Sequence, residues 1–307
     1  MVLFLEYPAQ EAICGRPTGL AFDTIGDNLI ITDAYYGIWI YNLKNQDKKQ
    51  LVDPKKVIGG VVPRPAKLFN SVTVAKNGDF YWTDSTSDFD IQDAANAFFV
   101  NPSGRLVHYN RETMTNTVLI DKIFFAFGVA LSPDESFVLV AETAASRIQK
   151  YFLKGEKKGT TEIFIEGLPG IPDKIRADKD GMWIAFVSSA DSENPQPAHY
   201  FAPVPYIRKF IVRIVCLIEK VIWFFDLYKS VDVQALRWLA PTRNTIIRLD
   251  WNGTVVSAMH GFDGTAHTIS DVLEFEDHLY LGSPFNDFIG RVKFTNKEKY
   301  SNNNMAI

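Results

Sequence analysis

The sequence predicts an all-β fold, a β-propeller, because one strand–turn–strand pattern recurs along the chain. Each copy has an apolar strand, an acidic or Gly-containing turn, and a second strand that ends in a small polar cluster. The copies cover residues 17–34, 69–85, 126–143, 171–189 and 268–284. Their equivalent apolar positions are Leu20, Val72, Val129, Ile175 and Val272, which are 52, 57, 46 and 97 residues apart. A strand-and-turn repeat of about 50 residues is typical of a propeller in which each repeat forms one blade.

The composition is that of one large domain and excludes several classes of protein. The chain has 307 residues, of which 47% are hydrophobic and 13% aromatic, enough for a large core. The net charge is -4 and both signs are interspersed, so the basic stripe of a nucleic-acid-binding protein is missing. Two cysteines, Cys14 and Cys216, give neither a disulfide framework nor zinc-ligand spacing. Residues 1–10 are too short, and carry Glu6 too early, for a cleavable signal or a membrane anchor.

Further strands are predicted to follow the first pair of each copy. We expect them at residues 37–43 in the first blade, 104–109 and 117–120 in the second, 147–153 and 161–165 in the third, 245–250 and 254–259 in the fourth, and 288–294 in the fifth. Asn77-Gly78, Asn252-Gly253 and residues 179–181 are predicted hairpin turns, because glycine tolerates the positive φ required there. The fifth copy lacks an outermost strand, for which residues 2–7 are the expected donor.

These strands define one propeller domain over residues 1–298, followed by a polar tail at 299–307. Five blades could close alone. A six-bladed propeller that lacks its first blade is equally consistent with the sequence.

An insertion at about residues 199–240, inside the fourth blade, is predicted to be helical. Over 206–228 one face of the predicted helix is apolar and consists of Ile207, Phe210, Ile214, Leu217, Ile218, Val221, Phe225 and Tyr228. Four charges interrupt residues 210–228, which argues against a membrane-spanning helix. Two interpretations stay open: a helix that caps the propeller face, or a monotopic membrane contact or substrate lid.

Several segments together resemble the strictosidine synthase-like family, and most closely its animal members of the adipocyte plasma membrane-associated protein and hemomucin type. They are CGRPTGLAFD (14–23), ITDAYYGI (31–38), FVLVAETAASRI (137–148), GLPGIPDKIRADKDGMWIA (167–185) and HLYLGS (278–283). The resemblance implies a six-bladed propeller whose top face is crossed by the inserted helix, and an endomembrane, cell-surface or secreted location. Family members begin with an anchor or secretory segment and a first blade. Because neither is recognisable before Cys14, we expect a shortened form of the protein.

The innermost strands of a propeller line its central channel, where ligands bind. The residue two positions before each apolar anchor is expected to point there, and this channel column consists of Thr18, Asn70, Phe127, Asp173 and Ser270. In the plant synthase a catalytic glutamate occupies the last position of the column. Ser270 stands there instead, and a neutral hydroxyl cannot be the base of a Pictet–Spengler condensation. We therefore expect no strictosidine synthase activity.

The resemblance also extends to propeller lactonases and paraoxonases, which hold calcium in the same column. Asn70 and Asp173 match their pattern of oxygen ligands and are the candidate ligands for Ca²⁺. Phe127 and Lys174 depart from that pattern, because relatives carry asparagine at the first position and often at the second. In the alternative interpretation, Asn70 and Asp173 only satisfy strand ends across the channel.

Three other features have weaker functional interpretations. A second column of carboxylates, Asp33, Asp84 and Glu142, ends the second strand of three blades; its repetition favours hydrogen bonding to turn amides over catalysis. His267 precedes the last inner strand and is a candidate general base. Asn252 heads an Asn-Gly-Thr sequence and is a glycosylation acceptor if the chain meets the secretory pathway.

Two functions are consistent with these residues. The resemblance implies an arylesterase-like hydrolase acting on a small ester or hydrophobic ligand at the channel, with His267 and Ser270 as candidate catalytic residues. The alternative is a catalytically inactive membrane-associated or cell-surface scaffold that binds a membrane or partner through the inserted helix.

Overall fold

Five sheets, one for each predicted copy, follow one another around a common axis in this computed structural model. The structure describes residues 8–189, 206–207, 209–210, 213–214, 217, 243–261, 264–266, 268–284, 286–294 and 305–306. Four of the sheets contain one antiparallel four-stranded blade each, and the fifth has three strands. The innermost strands pack against each other in chain order. The prediction of an all-β propeller with five recognisable blades is therefore confirmed.

The strands of each blade run outward from the axis in chain order. Blade 1 contains β1 (Pro17–Phe22), β2 (Asn28–Asp33), β3 (Gly37–Asn42) and β4 (Lys48–Val52). A short ribbon of β5 (Val57–Ile58) and β6 (Arg64–Pro65) leads to blade 2, which contains β7 (Phe69–Val74), β8 (Phe80–Asp84), β9 (Gly104–Asn110) and β10 (Thr115–Ile123). Blade 3 contains β11 (Ala126–Leu131), β12 (Phe137–Glu142), β13 (Arg147–Phe152) and β14 (Thr161–Ile165).

Blade 4 contains β15 (Gly170–Ala177), β16 (Met182–Ser189), β17 (Asn244–Leu249) and β18 (Val255–Gly261). Blade 5 contains β19 (Asp271–Phe275), β20 (His278–Gly282) and β21 (Gly290–Lys293), and β22 (Met305–Ala306) pairs in parallel with β18. One α-helix, α1 (Pro8–Cys14), precedes blade 1, and two 3₁₀ helices lie at Ile91–Phe98 and Thr143–Ala145.

The hydrophobic core lies between neighbouring blades, because each sheet buries an apolar face against the next. Between blades 1 and 2, Phe69 and Trp82 are fully buried and their rings stack with centroids 4.9 Å apart. Such aromatic pairs contribute about 0.5–1.5 kcal/mol beyond the area that they bury. The two sheets at the ends of the series differ, since their outward faces expose Leu20 and Phe22 on β1 and Leu273 and Phe275 on β19. Each end sheet thus presents apolar side chains of the kind that interior sheets bury against a neighbour.

The predicted turns are present, but one of them has a different physical basis. Gly78 and Gly253 have φ of 86° and 88°, as expected for the two Asn-Gly turns. Gly181 is not among the glycines with positive φ, so the prediction was wrong for this residue. A Cβ at Gly181 would lie 2.1 Å from the carbonyl oxygen of Leu249. Close approach of β17 therefore requires glycine there.

Two predicted features fall largely outside the described residues. Of the insertion, the structure describes residues 206–207, 209–210, 213–214 and 217, which are helical; the extent of the helix stays a prediction. Residues 2–7, the expected donor of an outer strand to blade 5, are not described.

Candidate functional site

The channel column lies at the same place on the innermost strands of four blades. Thr18 is on β1, Asn70 on β7, Phe127 on β11 and Asp173 on β15, whereas Ser270 immediately precedes β19. In these four strands the register with the second strand shifts at the column position. A bulge leaves residues unpaired and re-aims their side chains out of the regular alternation. The repeated bulges free the column residues to reach across the axis.

Threonine hydroxyls connect these bulges from one blade to the next. In each case a hydroxyl at or just after the end of a second strand donates to a carbonyl oxygen of the following inner strand. The bonds run from Thr32 Oγ1 to Asn70 O (2.5 Å), from Thr83 Oγ1 to Phe127 O (2.7 Å) and from Thr143 Oγ1 to Pro172 O (2.8 Å). Because they satisfy carbonyl groups at irregular positions of the ladder, these bonds fix the spacing of the blades around the channel.

The Lys174 side chain crosses the channel and joins three blades. Its Nζ donates to Thr18 O at 2.8 Å, to Asn70 Oδ1 at 2.7 Å and to Ser71 Oγ at 2.7 Å. The ring centroid of Phe127 lies 4.9 Å from the same nitrogen, within the range of a cation–π interaction. All three N–H donors of the ammonium group are therefore used. Residues more than 100 positions apart in the sequence therefore meet at the Lys174 ammonium group.

Asp173 is the buried acid of the site. The residue is 3% exposed, and its Oδ1 has no hydrogen-bond partner among the described residues. Burial raises the pKa of Asp173 to about 8; the positive charge of Lys174 opposes this shift, and the negative charge of Asp271 adds to it. A buried acceptor without a partner is uncommon in folded proteins and calls for an explanation.

The charges continue from this pair toward blade 5. Burial also lowers the pKa of Lys174 to about 8, against the opposing influence of Asp173 and Asp271. The Arg176 guanidinium donates from Nε and from one terminal nitrogen to the two carboxylate oxygens of Asp271, at 2.8 and 2.5 Å. These hydrogen bonds raise the pKa of Arg176. One ion pair thus joins blades 4 and 5 beside the buried residues Asp173 and Lys174.

An aromatic cluster borders the ammonium group on the blade 3 side. The rings of Phe125 and Phe127 are 5.9 Å apart, and Phe98, at the end of a 3₁₀ helix, lies 4.6 Å from Phe125. Ala34, Leu68 and Ala97 complete the buried part of the cluster. The site therefore combines a polar, charged side with an apolar side that could hold an aromatic group.

The oxygen atoms of the site fit an ammonium group better than calcium. Asn70 Oδ1, the oxygen expected to bind the metal, already accepts a hydrogen bond from Lys174. A divalent ion about 4 Å from this ammonium would be repelled by about 8 kcal/mol at an effective dielectric constant of about 20. Within the described part of the chain, no group of three or more His, Cys, Asp or Glu side chains is arranged to hold a metal.

The remaining predicted residues lie in different places. Ser270 is at the channel through its backbone, since its carbonyl oxygen accepts from Lys174 N at 3.3 Å, while its hydroxyl faces Gly282 O at 3.4 Å. Its candidate catalytic role stays a prediction. His267 lies outside the described residues. Asn252 is exposed in the turn between β17 and β18, away from the column.

The second column of carboxylates accepts hydrogen bonds from main-chain amides, but only Asp33 has the predicted partners in the turn that follows. Asp33 Oδ1 accepts from the amides of Tyr35 and Tyr36, which follow it, as expected. Asp84 instead accepts from the amides of Lys67 and Leu68, and Glu142 accepts from that of Phe124. These amides precede the inner strand of the same blade. In blades 2 and 3 the carboxylate thus attaches the entry of the blade to its second strand.

Two contributors to the site were missed in the sequence. Ser71 was overlooked because regular alternation would turn it away from the channel, yet the bulge of β7 brings both Asn70 and Ser71 to Lys174. No sequence pattern identified Asp271, because its role depends on its hydrogen bond with Arg176, which lies on the neighbouring blade. The pairing of consecutive polar residues at 70–71 and 173–174 was the available clue.

Comparison with known proteins supports the resemblance to the strictosidine synthase-like family. A family model described as strictosidine synthase matches residues 70–156, which include Asn70 and Phe127. The adipocyte plasma membrane-associated protein hemomucin of Drosophila melanogaster is 49% identical over 296 residues, covering 92% of this chain and 51% of its own length. The adipocyte plasma membrane-associated protein of Rattus norvegicus is 30% identical over 287 residues, covering 92% of this chain and 71% of its own. This chain belongs to the strictosidine synthase-like family.

Within that family, its similarity is to the adipocyte plasma membrane-associated proteins. The protein of this name from Gallus gallus is 32% identical, and the match covers 93% of this chain and 65% of the relative. The chain thus spans about half to two thirds of the length of hemomucin and this relative. Their names describe membrane-associated proteins. None of the helices in the described part of this chain has the length and apolar character needed to cross a bilayer.

Solved structures share the fold at low sequence identity. A chain of the nidogen/laminin complex aligns with a TM-score of 0.53 at 12% identity, covering 91% of this chain and 76% of that one. Regucalcin from Agrobacterium tumefaciens, described as a calcium-binding protein, aligns with a TM-score of 0.51 at 13% identity, covering 88% and 69%. These likenesses concern the propeller fold alone.

Proposed function

We propose that the protein is an arylesterase-like hydrolase that acts on small esters at the channel, with Asp173 as the base that activates water. The observation that carries this proposal is Asp173 itself, a buried carboxyl group with an unpartnered oxygen in the channel column. A group with a strongly shifted pKa in a ligand-binding region is a candidate for acid–base chemistry. The aromatic cluster of Phe98, Phe125 and Phe127 supports an aryl group as the apolar part of the substrate.

The reaction follows from the charges of the site. Ionised Asp173 takes a proton from water while the water oxygen attacks the ester carbonyl carbon. The electron pair of the carbonyl bond moves to oxygen, and the positive charge of Lys174 stabilises the oxyanion. When the oxyanion collapses, the bond to the aryl oxygen breaks, and the departing phenolate takes the proton from Asp173. Ser270 has no carboxylate, so the proposal includes no Pictet–Spengler condensation.

Hydrolysis of phenyl acetate tests this function. Asp173→Asn keeps the shape of the side chain but removes the base, and we expect it to lower kcat/KM by about 10²–10⁴-fold. Asp180→Asn is the matched control, because Asp180 is an exposed carboxylate in the outer turn of the same blade. The wild-type rate should rise as the pH increases toward 8, when Asp173 ionises, and fall above it, when Lys174 loses its charge. Equal rates for the two variants would refute the proposal.

A second candidate function, attachment to a membrane surface as a scaffold, is favoured by the exposed side chains of the insertion. Phe210, Ile214 and Leu217 have spacings that place them on one face of a helix, and they are 63%, 40% and 62% exposed. Arg213 is exposed beside them. Exposed apolar and basic residues together favour contact with an anionic lipid surface.

Co-sedimentation with phosphatidylserine vesicles tests this second function. The double variant Phe210→Ser, Leu217→Ser should lose binding, whereas Phe22→Ser, which removes an equally exposed ring from blade 1, should keep it. Vesicle binding that is the same for both variants would contradict the surface role. A location on the cell surface would also make Asn252 available for glycosylation, and removal of an N-glycan would then reduce the apparent mass of the wild type but not of Asn252→Gln.

A further inference from the structure

The ammonium group of Lys174 is bound as a free cation would be, by oxygens from different parts of the chain. One acceptor is a main-chain carbonyl of blade 1, at Thr18, and two are side-chain oxygens of blade 2, at Asn70 and Ser71. The lysine itself belongs to blade 4. The three nitrogen–oxygen distances of 2.7–2.8 Å are those of charge-assisted hydrogen bonds.

These acceptors are held in position by contacts that do not involve Lys174. The side-chain Nδ2 of Asn70 donates to Ser85 Oγ at 2.8 Å, and this bond directs Oδ1 of Asn70 toward the ammonium group. The Ser71 amide donates to Thr83 Oγ1 at 3.0 Å, and the hydroxyl of Thr18 donates to Phe69 O at 2.7 Å. A site whose ligands are fixed in advance binds its ion without reorganising them. The aromatic face of Phe127 completes the surroundings of the charge.

We infer that Lys174 is a built-in cation: its ammonium occupies a preformed oxygen site in the channel, takes the place of a metal ion there, and cross-links blades 1, 2 and 4. The site comprises Thr18 O, Asn70 Oδ1 and Ser71 Oγ, with the ring of Phe127 at its side. Two consequences follow. The wild-type channel does not take up calcium, and removal of the lysine side chain leaves a site for a small ammonium ion. This inference is independent of the hydrolytic activity proposed above, and its tests measure binding and stability.

The first test uses the wild-type protein and calcium alone. Isothermal titration with CaCl₂, and thermal unfolding with CaCl₂ or EDTA, should show no binding in the channel and no shift in Tm. One-to-one calcium binding that is lost in Asn70→Ala would overturn the inference, because it would show that a metal has access to the oxygens assigned to the ammonium.

The second test is chemical rescue. Lys174→Ala should lower Tm, and methylammonium chloride should then raise it in a saturable manner. Tetramethylammonium has no N–H donor, and at the same ionic strength it should have no effect. Lys150→Ala is the matched control, because Lys150 is also half-buried but pairs with Glu162 and the rings of Phe137 and Phe152. Equal responses of both variants to the two salts would refute the assigned site.

A third measurement needs no variant and covers the case in which Lys174→Ala does not fold. Brief acylation of the folded protein with acetic anhydride, followed by peptide mass spectrometry, reports the reactivity of each lysine. The lowered pKa of Lys174 favours acylation, but its enclosure in the channel and its three hydrogen bonds oppose it, and we expect it to react on the order of ten-fold more slowly than the exposed Lys158. Labelling of Lys174 at the rate of Lys158 would show that its ammonium is free and would overturn the inference.

Discussion

Replacement of Thr83 by valine tests how the threonine bonds hold the blades around the channel. Thr83 is fully buried, and its hydroxyl makes two hydrogen bonds. It donates to Phe127 O at 2.7 Å in the next blade and accepts from Ser71 N at 3.0 Å in its own. Valine fills the same space but leaves both main-chain groups without this partner. Because each buried group left unsatisfied costs about 1–3 kcal/mol, we expect the free energy of unfolding to fall by about 2–4 kcal/mol.

The measurement is thermal or urea-induced unfolding of Thr83→Val beside a matched control. For a domain of this size, the loss corresponds to a decrease in Tm of roughly 3–6 °C. Thr73→Val makes the same change on β7, where the hydroxyl has no hydrogen bond among the described residues, and it should change the free energy of unfolding by less than about 0.5 kcal/mol. If the two variants unfold alike, the bonds between blades contribute nothing measurable, and apolar packing alone sets their spacing.

Three further changes have effects that the structure specifies. Arg105→Met should reduce the free energy of urea-induced unfolding by about 3–5 kcal/mol, because it leaves Asp84 buried without its guanidinium partner; an unchanged free energy would contradict this pairing. Gly128→Ala should lower Tm strongly, since a Cβ there would lie 2.4 Å from Asp173 O; a Tm equal to that of the wild type would contradict the close approach of blades 3 and 4. For Asp173→Asn, the unfolding free energy relative to wild type should increase between about pH 4 and pH 8, by up to about 1.4 kcal/mol per pH unit. Above pH 4 the Asp173 carboxyl of the folded wild type keeps a proton that the unfolded chain releases, because its pKa is raised in the folded state. The stability of the wild type therefore falls as the pH rises, whereas that of Asp173→Asn does not. Parallel pH profiles of the two proteins would show that this group does not titrate as described.

The blades could be predicted from the sequence because their inner strand pairs have a strong apolar pattern. The strand β4 was missed, since its residues Lys48–Val52 begin with polar side chains and read as a surface loop. Helix α1 was missed for a related reason. Its position depends on Glu11, which accepts hydrogen bonds from Arg16 and from Tyr35 of blade 1, and such contacts leave no periodic signal in seven residues.

The sequence predicts which positions form the channel column, but not which contacts their side chains make. The spacing of the column follows from the repeat, so Asn70 and Asp173 were predicted to face one channel, and they lie at equivalent positions of the inner strands of blades 2 and 4. The contacts of Lys174 could not be derived in this way. Regular alternation would turn the residue after Asp173 away from the axis, and only the register shift in β15 lets both side chains serve the channel. Sequence patterns describe regular strands, and the chemistry of this site depends on where the strands are irregular.

Because the chemistry depends on the irregular positions of the strands, the propeller fold that this chain shares with other proteins does not define its function. A chain of the nidogen/laminin complex and regucalcin share the propeller fold at 12–13% identity, so blades of this kind tolerate almost complete replacement of their residues. What changes the chemistry is the pair of residues presented at each bulge. In this chain, blade 4 presents an acid and a lysine together, and the burial that raises the pKa of Asp173 also lowers that of Lys174. A divalent ion would require the lysine to leave its three oxygens, whereas a neutral ester would not. Under the proposed function, the residues at the bulges therefore favour a neutral substrate in a site that carries its own positive charge.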